Sequence, residues 1–323
     1  MSEILEDFLV KTEFGYYCRY GNFYIDALSP VQRNLISHAH GDHATMGHKQ
    51  LWATVATFAF MRNKFGKLPE ASVNTVSFND TFTLEEVAIT FVTAGHILGS
   101  AQILMVYKGV RYLYTGDYKL QADPTCEPLT MVTADVLITE STFANPSVQH
   151  PDPEQEILKL KDKPSNIMLG CYVLGKAQRL TELINRYLPE REVLVHHKMH
   201  AVHQLYDELG PIKLKYSLYN RKAMKDGKQN KIYLVPPLTF NSYFRAKGVL
   251  RAFASGWERL QQQNDISLYI SDHVDWSDIL HYIDAVKPKQ IWTIHGDGRE
   301  LKAYFEGKLL VRDILKEQAG IFI

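Results

Sequence analysis

The stretch Ser37-His38-Ala39-His40-Gly41-Asp42-His43 puts three imidazoles and one carboxylate within six positions. Just upstream, Arg33-Asn34-Leu35-Ile36 reads as a short buried strand, so the cluster lies where a strand runs out into a loop. His38 and His40 are two apart, which on an extended segment aims both at one side. A turn at Gly41 then swings Asp42 and His43 toward a second point nearby. One short stretch can therefore supply ligands to two metal ions. Neutral imidazole with carboxylate suits Zn²⁺ and also admits Mn²⁺ or Fe²⁺.

Working outward, the same placement recurs. Residues 87–92 read as a strand that delivers Thr93-Ala94-Gly95-His96. Residues 102–107 and 110–114, joined by a Lys108-Gly109 turn, form a hairpin ending at Thr115-Gly116-Asp117. Residues 134–139 deliver Glu140, residues 266–270 deliver Ser271-Asp272-His273, and residues 291–294 deliver His295. Strand ends on one edge of a layered α/β fold converge on one rim, where loops carry the chemistry. A hairpin over residues 16–26 ends at Asp26, which is either an oxygen partner for a ligand imidazole or a turn cap. Apolar spacing predicts a helix over residues 52–65, followed by a strand over residues 73–78.

A different alternation fills the middle. Residues 146–153 read as a linker, and residues 146–264 hold 19 Lys and Arg against 11 Asp and Glu. The rest of the chain holds 17 against 25, so the overall balance of 36 against 36 hides a basic insertion in an acidic frame. That is the distribution an enzyme of polyanions needs. The strand over residues 167–173 runs into Gly175-Lys176-Ala177-Gln178-Arg179-Leu180, which opens a helix to about residue 187. Lys176 and Arg179 are substrate-phosphate contacts on this reading, because free N–H groups and the helix dipole favour an anion. The histidines of His196-His197-Lys198-Met199-His200-Ala201-Val202-His203 have no carboxylate or cysteine beside them and read as a polar strand–helix junction. Arg221, Lys222, Lys225, Lys228 and Lys231 form a basic stretch, either solvated or contacting a nucleic-acid backbone. Tyr243-Phe244-Arg245 reads as packing, with base stacking as the functional alternative.

With 323 residues, the chain suffices for one large domain or two moderate ones. It is 46% hydrophobic and 22% charged, without an apolar run of about 18 residues. The acidic start Met1-Ser2-Glu3-Ile4-Leu5-Glu6-Asp7 does not read as a signal peptide. Cys18, Cys126 and Cys171 form neither a C-x-x-C pair nor a disulfide framework, so a cytoplasmic location is expected.

These residues together resemble the metallo-β-lactamase superfamily through H-x-H-x-D-H. Within it they resemble the β-CASP nucleases, through Ile138-Thr139-Glu140-Ser141-Thr142, Ser271-Asp272-His273-Val274-Asp275 and Ile294-His295-Gly296. A closer likeness, to bacterial DNA-ligase-associated exonucleases akin to mRNA 3′-end-processing enzymes, lies in Gly116-Asp117-Tyr118-Lys119-Leu120, Asp123-Pro124-Thr125-Cys126, Leu174-Gly175-Lys176-Ala177-Gln178-Arg179-Leu180 and Phe253-Ala254-Ser255-Gly256-Trp257. The resemblance implies an αββα sandwich over residues 1–145 and 265–323, with an inserted β-CASP-like α/β cap over 146–264. It implies that His38, His40 and His96 bind one metal, that Asp42, His43 and His295 bind the other, and that Asp117 bridges them. It also implies that His273 is the general acid and that Glu140 orients it.

The implied activity is hydrolysis of phosphodiester bonds with two divalent ions, Zn²⁺ or alternatively Mn²⁺, by an exonuclease on DNA. DNA repair beside a ligase and a helicase is the implied setting. An RNA exo- or endonuclease is the alternative, favoured by a histidine at position 295. A glyoxalase-like ester hydrolase would keep the metal ligands but needs neither the basic insertion nor His273 with Glu140. A degenerate nucleic-acid-binding scaffold would have lost ligands, and none is missing.

Overall fold

The computed structural model describes residues 3–69, 72–222, 227–243, 248–262, 264–296 and 298–314. In chain order, the first part comprises β1 (Val10–Lys11), β2 (Tyr16–Cys18), β3 (Phe23–Ile25), β4 (Arg33–Leu35), β5 (Gln50–Ala53), α1 (Val55–Phe65), β6 (Val73–Thr75), β7 (Thr81–Leu84), β8 (Val87–Thr93), β9 (Ala101–Tyr107), β10 (Val110–Tyr114) and β11 (Val136–Glu140). The middle comprises α2 (Pro153–Leu158), β12 (Asn166–Gly170), α3 (Lys176–Tyr187), β13 (Glu192–Val195), α4 (His197–Leu209), β14 (Ser217–Leu218), β15 (Lys231–Val235), α5 (Pro237–Ser242), β16 (Val249–Ala254) and β17 (Ile266–Leu268). The last part comprises α6 (Trp276–Val286), β18 (Gln290–Ile294), α7 (Arg299–Tyr304) and β19 (Leu310–Asp313).

The chain divides into two compact units. The first is Met1–Gln121, Glu127–Gln149 and His273–Ile323; the second is Ala122–Cys126 with His150–Asp272. Residues 265–272, read from the sequence as the start of the returning segment, lie in the second unit. The reason is pairing: β17 runs parallel to β16, with Phe253 opposite Ser267 and Ala254 opposite Leu268.

In the first unit, one sheet has the order β1-β2-β3-β4-β5-β6 and another the order β19-β18-β11-β10-β9-β8-β7. Alternation along the second sheet decides its two faces. Ile103, Met105, Tyr112, Tyr114 and Ile138 share a core with Cys18, Phe23, Ile25 and Leu35 of the first sheet. Leu104, Leu113 and Leu137 point the other way, onto Ile279, Tyr282 and Ile283 of α6 and Leu301 of α7. The helix expected from residue 52 starts at Val55. Residues 50–53 are strand because they pair with β4 on one side and β6 on the other. Thr54 then caps α1, accepting a hydrogen bond from Thr57 N–H at 3.2 Å.

Register puts the strand exits on one edge. β10 and β11 are parallel, as are β11 and β18, with Glu140 opposite Ile294. β8 and β10 both run antiparallel to β9, so β8 also ends at this edge. Ala101 N–H donates to Ser37 O at 2.8 Å, joining the exit of β4 to the same edge.

The second unit is a parallel sheet of order β14-β13-β15-β12-β16-β17. One face buries Ile167, Leu169, Val193, Val195, Ile232 and Leu234 with Leu180 and Ile184 of α3 and Met199 of α4. The near-continuous apolar strands are those expected of a sheet covered on both faces. No described helix is long and apolar enough to cross a membrane.

Candidate metal centre

The exits of β4, β8, β10, β11 and β18, with the loop before α6, bring three groups of ligand atoms around Asp117. His38, His40, His96 and Asp117 form one group, His43, Asp117 and His295 a second, and Asp117, Glu140 and His273 a third, each within 4.8 Å. In the first, His40 Nδ1 lies 3.1 Å from both His38 Nε2 and His96 Nε2. Asp117 Oδ2 lies 3.6 Å from His38 Nε2 and 3.7 Å from His96 Nε2. A tetrahedral Zn²⁺ site with bonds of ~2.0–2.1 Å has edges of about 3.4 Å, so this donor set fits such an ion.

The second group is thinner. His43 Nε2 is 3.5 Å from Asp117 Oδ2, and the His43 and His295 rings lie 5.1 Å apart. His295 holds a left-handed backbone, φ 50°, at the end of β18. Asp42 stands outside this group: its side chain is 74% exposed, with Oδ2 4.0 Å from His43 Nε2. The tight turn in which His43 and Ala44 N–H both donate to His40 O leaves Asp42 on the outer side.

Burial is what arranges the charges. It drives His38 well below the ordinary imidazole range, which keeps the ring neutral and able to ligate. Burial also opposes a charge on His43, but the Asp117 and Asp26 carboxylates outweigh it and raise this ring to about 10. Burial pushes Asp117 up, yet the imidazoles of His43, His273, His38 and His96 hold it well below the usual carboxylate range.

Asp26 is the support beneath the centre. His43 Nδ1 donates to its Oδ2 at 2.8 Å, Ser37 N–H to Oδ1 at 2.8 Å, Ser37 Oγ to Oδ2 at 2.6 Å and Tyr114 O–H to Oδ2 at 3.0 Å. The choice between imidazole partner and turn cap, open in the sequence, falls to the partner. The roles of Ser37 and Tyr114 are not written in local sequence: Tyr114 alternates with Tyr112 as a core residue would, and Ser37 meets Asp26 only in the fold. Gly116 lets the β10 exit pass Ser37: its φ is +57° and a Cβ would stand 3.0 Å from Ser37 Oγ.

In the third group, His273 Nδ1 donates to Glu140 Oε2 at 2.9 Å and lies 4.0 Å from Asp117 Oδ2. Glu140 is fully buried and also accepts from Tyr118 N–H at 3.1 Å. His273 keeps 28% of its side chain exposed.

Lys176 and Arg179 are buried in the second unit, 3% and 1% exposed. Lys176 Nζ donates to Ile270 O at 2.6 Å and pairs with Asp272 at 3.1 Å. Arg179 Nη1 donates to Ser271 O and to Asp272 Oδ1 at 3.0 Å. Both cations are engaged internally, which corrects the expectation that they meet a substrate phosphate. The 196–203 histidines do not converge either: His196 caps α4, His197 is exposed and His203 is interior, against Met199 O, Gln178 and Thr181. Lys225, Phe244 and Arg245 lie outside the described residues.

No family model matches the chain. It is 30% identical over 310 residues to a probable DNA ligase of Opitutus terrae, covering 90% of this chain and 29% of the ligase. It is 36% identical over 124 residues to endoribonuclease ysh1 of Emericella nidulans, covering 36% of this chain and 14% of that protein. The chain thus spans less than a third of the length of these relatives. Among solved structures, a protein of unknown function from Enterococcus faecalis V583 superposes with a TM-score of 0.59 at 16% identity, over 88% of this chain and 79% of that one, a likeness of fold. The named relatives fit the β-CASP nuclease group that the motifs resemble.

Proposed function

We propose that this chain is a two-metal phosphodiesterase that degrades nucleic acid, acting on DNA from an end. The observation that carries the reading is the position of Asp117 Oδ2, shared by two ligand groups and 4.0 Å from the ring of His273. The two sheets sharing one core, with α6 and α7 on the outer face, support an αββα metallo-β-lactamase sandwich. The parallel sheet of the second unit supports a β-CASP-like insertion.

His38, His40, His96 and Asp117 would hold one ion; His43, His295 and Asp117, with Asp42 after a change of rotamer, would hold the other. Divalent ions bound there would supply Lewis-acid stabilisation of phosphoryl oxygens and lower the pKa of water. The protein's own groups do the rest. Asp26 holds Nδ1 of His43, so that Nε2 faces Asp117. Glu140 accepts from Nδ1 of His273 and stabilises its protonated form, leaving Nε2 as the proton donor to a departing alkoxide.

The test is cleavage of matched 5′- and 3′-labelled single-stranded DNA and RNA with Zn²⁺ or Mn²⁺, beside Asp117→Ala. Stepwise loss from one end of DNA, absent in the variant, is the expected result. Preferential RNA cutting would favour the second reading, an RNA nuclease, which the histidine at position 295 favours through the family resemblance. No cutting of either by a protein holding two metals would return the glyoxalase-like ester hydrolase. Association with a DNA ligase and a helicase is part of the proposal, prompted by the relative named a probable DNA ligase.

A further inference from the structure

A phosphodiesterase of polymers needs a cation outside the metal cage to hold the backbone, and neither Lys176 nor Arg179 is placed to be it. α1 supplies another. Its start is tied to the loop carrying His96: Thr54 Oγ1 donates to Gly99 O at 2.7 Å and Thr57 Oγ1 to the same oxygen at 3.2 Å. Phe58, Phe60 and Met61 bury its inner side. Its last turn reaches the other ligand loop. A Cβ built on Gly41, between His40 and Asp42, would stand 2.9 Å from Lys64 Nζ.

Lys64 is exposed, yet its ammonium is held, 4.6 Å from the centroid of the Phe65 ring. Such a contact biases a flexible chain toward one place. Arg62 and Lys67 are exposed on either side of it. None of the three forms an ion pair with a described carboxylate. A cation without an ion-pair partner among the described residues, standing beside a ligand loop, is suited to an anion crossing that loop.

We propose that the last turn of α1 is a phosphate-backbone contact, with Lys64 gripping the phosphate next to the scissile one and Arg62 and Lys67 adding attraction along the strand. This rests on the nuclease reading and names the substrate contact it lacks. Glycine at position 41 fits the same role, since a side chain there would displace the ammonium.

The experiment is equilibrium binding of a single-stranded phosphorothioate oligonucleotide to the metal-loaded protein, across a salt series. Lys64→Ala should weaken binding about five- to tenfold near 0.1 M salt and make the log–log salt slope shallower by about one. Lys64→Arg should restore most of both. Lys289→Ala, which removes an equal charge paired with Asp135 elsewhere, should change neither. An unchanged slope in Lys64→Ala while the unsubstituted protein binds would overturn the contact alone. No binding by the unsubstituted protein would overturn the nuclease reading and the contact with it.

Discussion

At the residue scale, the centre depends on which atoms are left to face Asp117. Asp26 takes four hydrogen bonds and thereby decides the orientation of His43. Asp26→Asn keeps the volume but cannot accept all of these, and it should lower metal affinity about 10–100-fold, read by titration against a chelator. Unchanged affinity would remove Asp26 from that role. His273→Ala should retain both metals and lose about 10²–10⁴ in rate on an ordinary phosphodiester. On a p-nitrophenyl diester, whose leaving group needs no proton, most of the rate should remain. Equal loss on both substrates would rule out a proton-donating role. The ligand types were legible at this scale, because strand exits are visible in local apolar runs. The exposure of Asp42 was not, since it depends on how one turn closes.

At the scale of elements, α3 shows why a motif can mislead. Gly175-Lys176 at a strand-to-helix junction has the local form of an anion site, but the fold lays residues 270–272 across it. Arg179 then becomes a buried cross-link to Asp272. Removing one partner of a buried pair leaves an uncompensated charge, so Arg179→Ala should destabilise the second unit by about 3–5 kcal/mol, measured by denaturant unfolding. Arg179→Lys should recover little of it, lacking the planar fork. His203 lies in the same unit, and burial lowers its ring to about 4. An unfolded histidine, at about 6.5, binds a proton that the folded one refuses. Stability from this site is therefore complete above pH 6.5 and falls as the pH drops toward 4, by on the order of 3 kcal/mol. His203→Gln should flatten that limb of the stability–pH curve; an unaltered limb would show that another group carries it.

At the scale of the whole molecule, the first unit is made of separate stretches of chain that meet at one centre: residues 37–43, His96, Asp117, Glu140, His273 and His295. A ligand that binds only this folded arrangement stabilises it by mass action. Metal at 100 times its Kd should add about 2.7 kcal/mol at 25 °C, and a chelator should lower the melting temperature reversibly. A melting curve indifferent to chelator would argue that the cage holds no ion. The sequence by itself offered the candidate donors, the strand exits that carry most of them, and a basic insertion between two acidic segments, because each is written in neighbouring residues. Only the tertiary structure decided that β17 belongs to the second unit, that Asp26 serves His43, that Lys176 and Arg179 are interior, and that Lys64 stands beside Gly41. Pairing and burial depend on residues distant in the chain, and no local pattern encodes what will lie across a given side chain once the chain has folded.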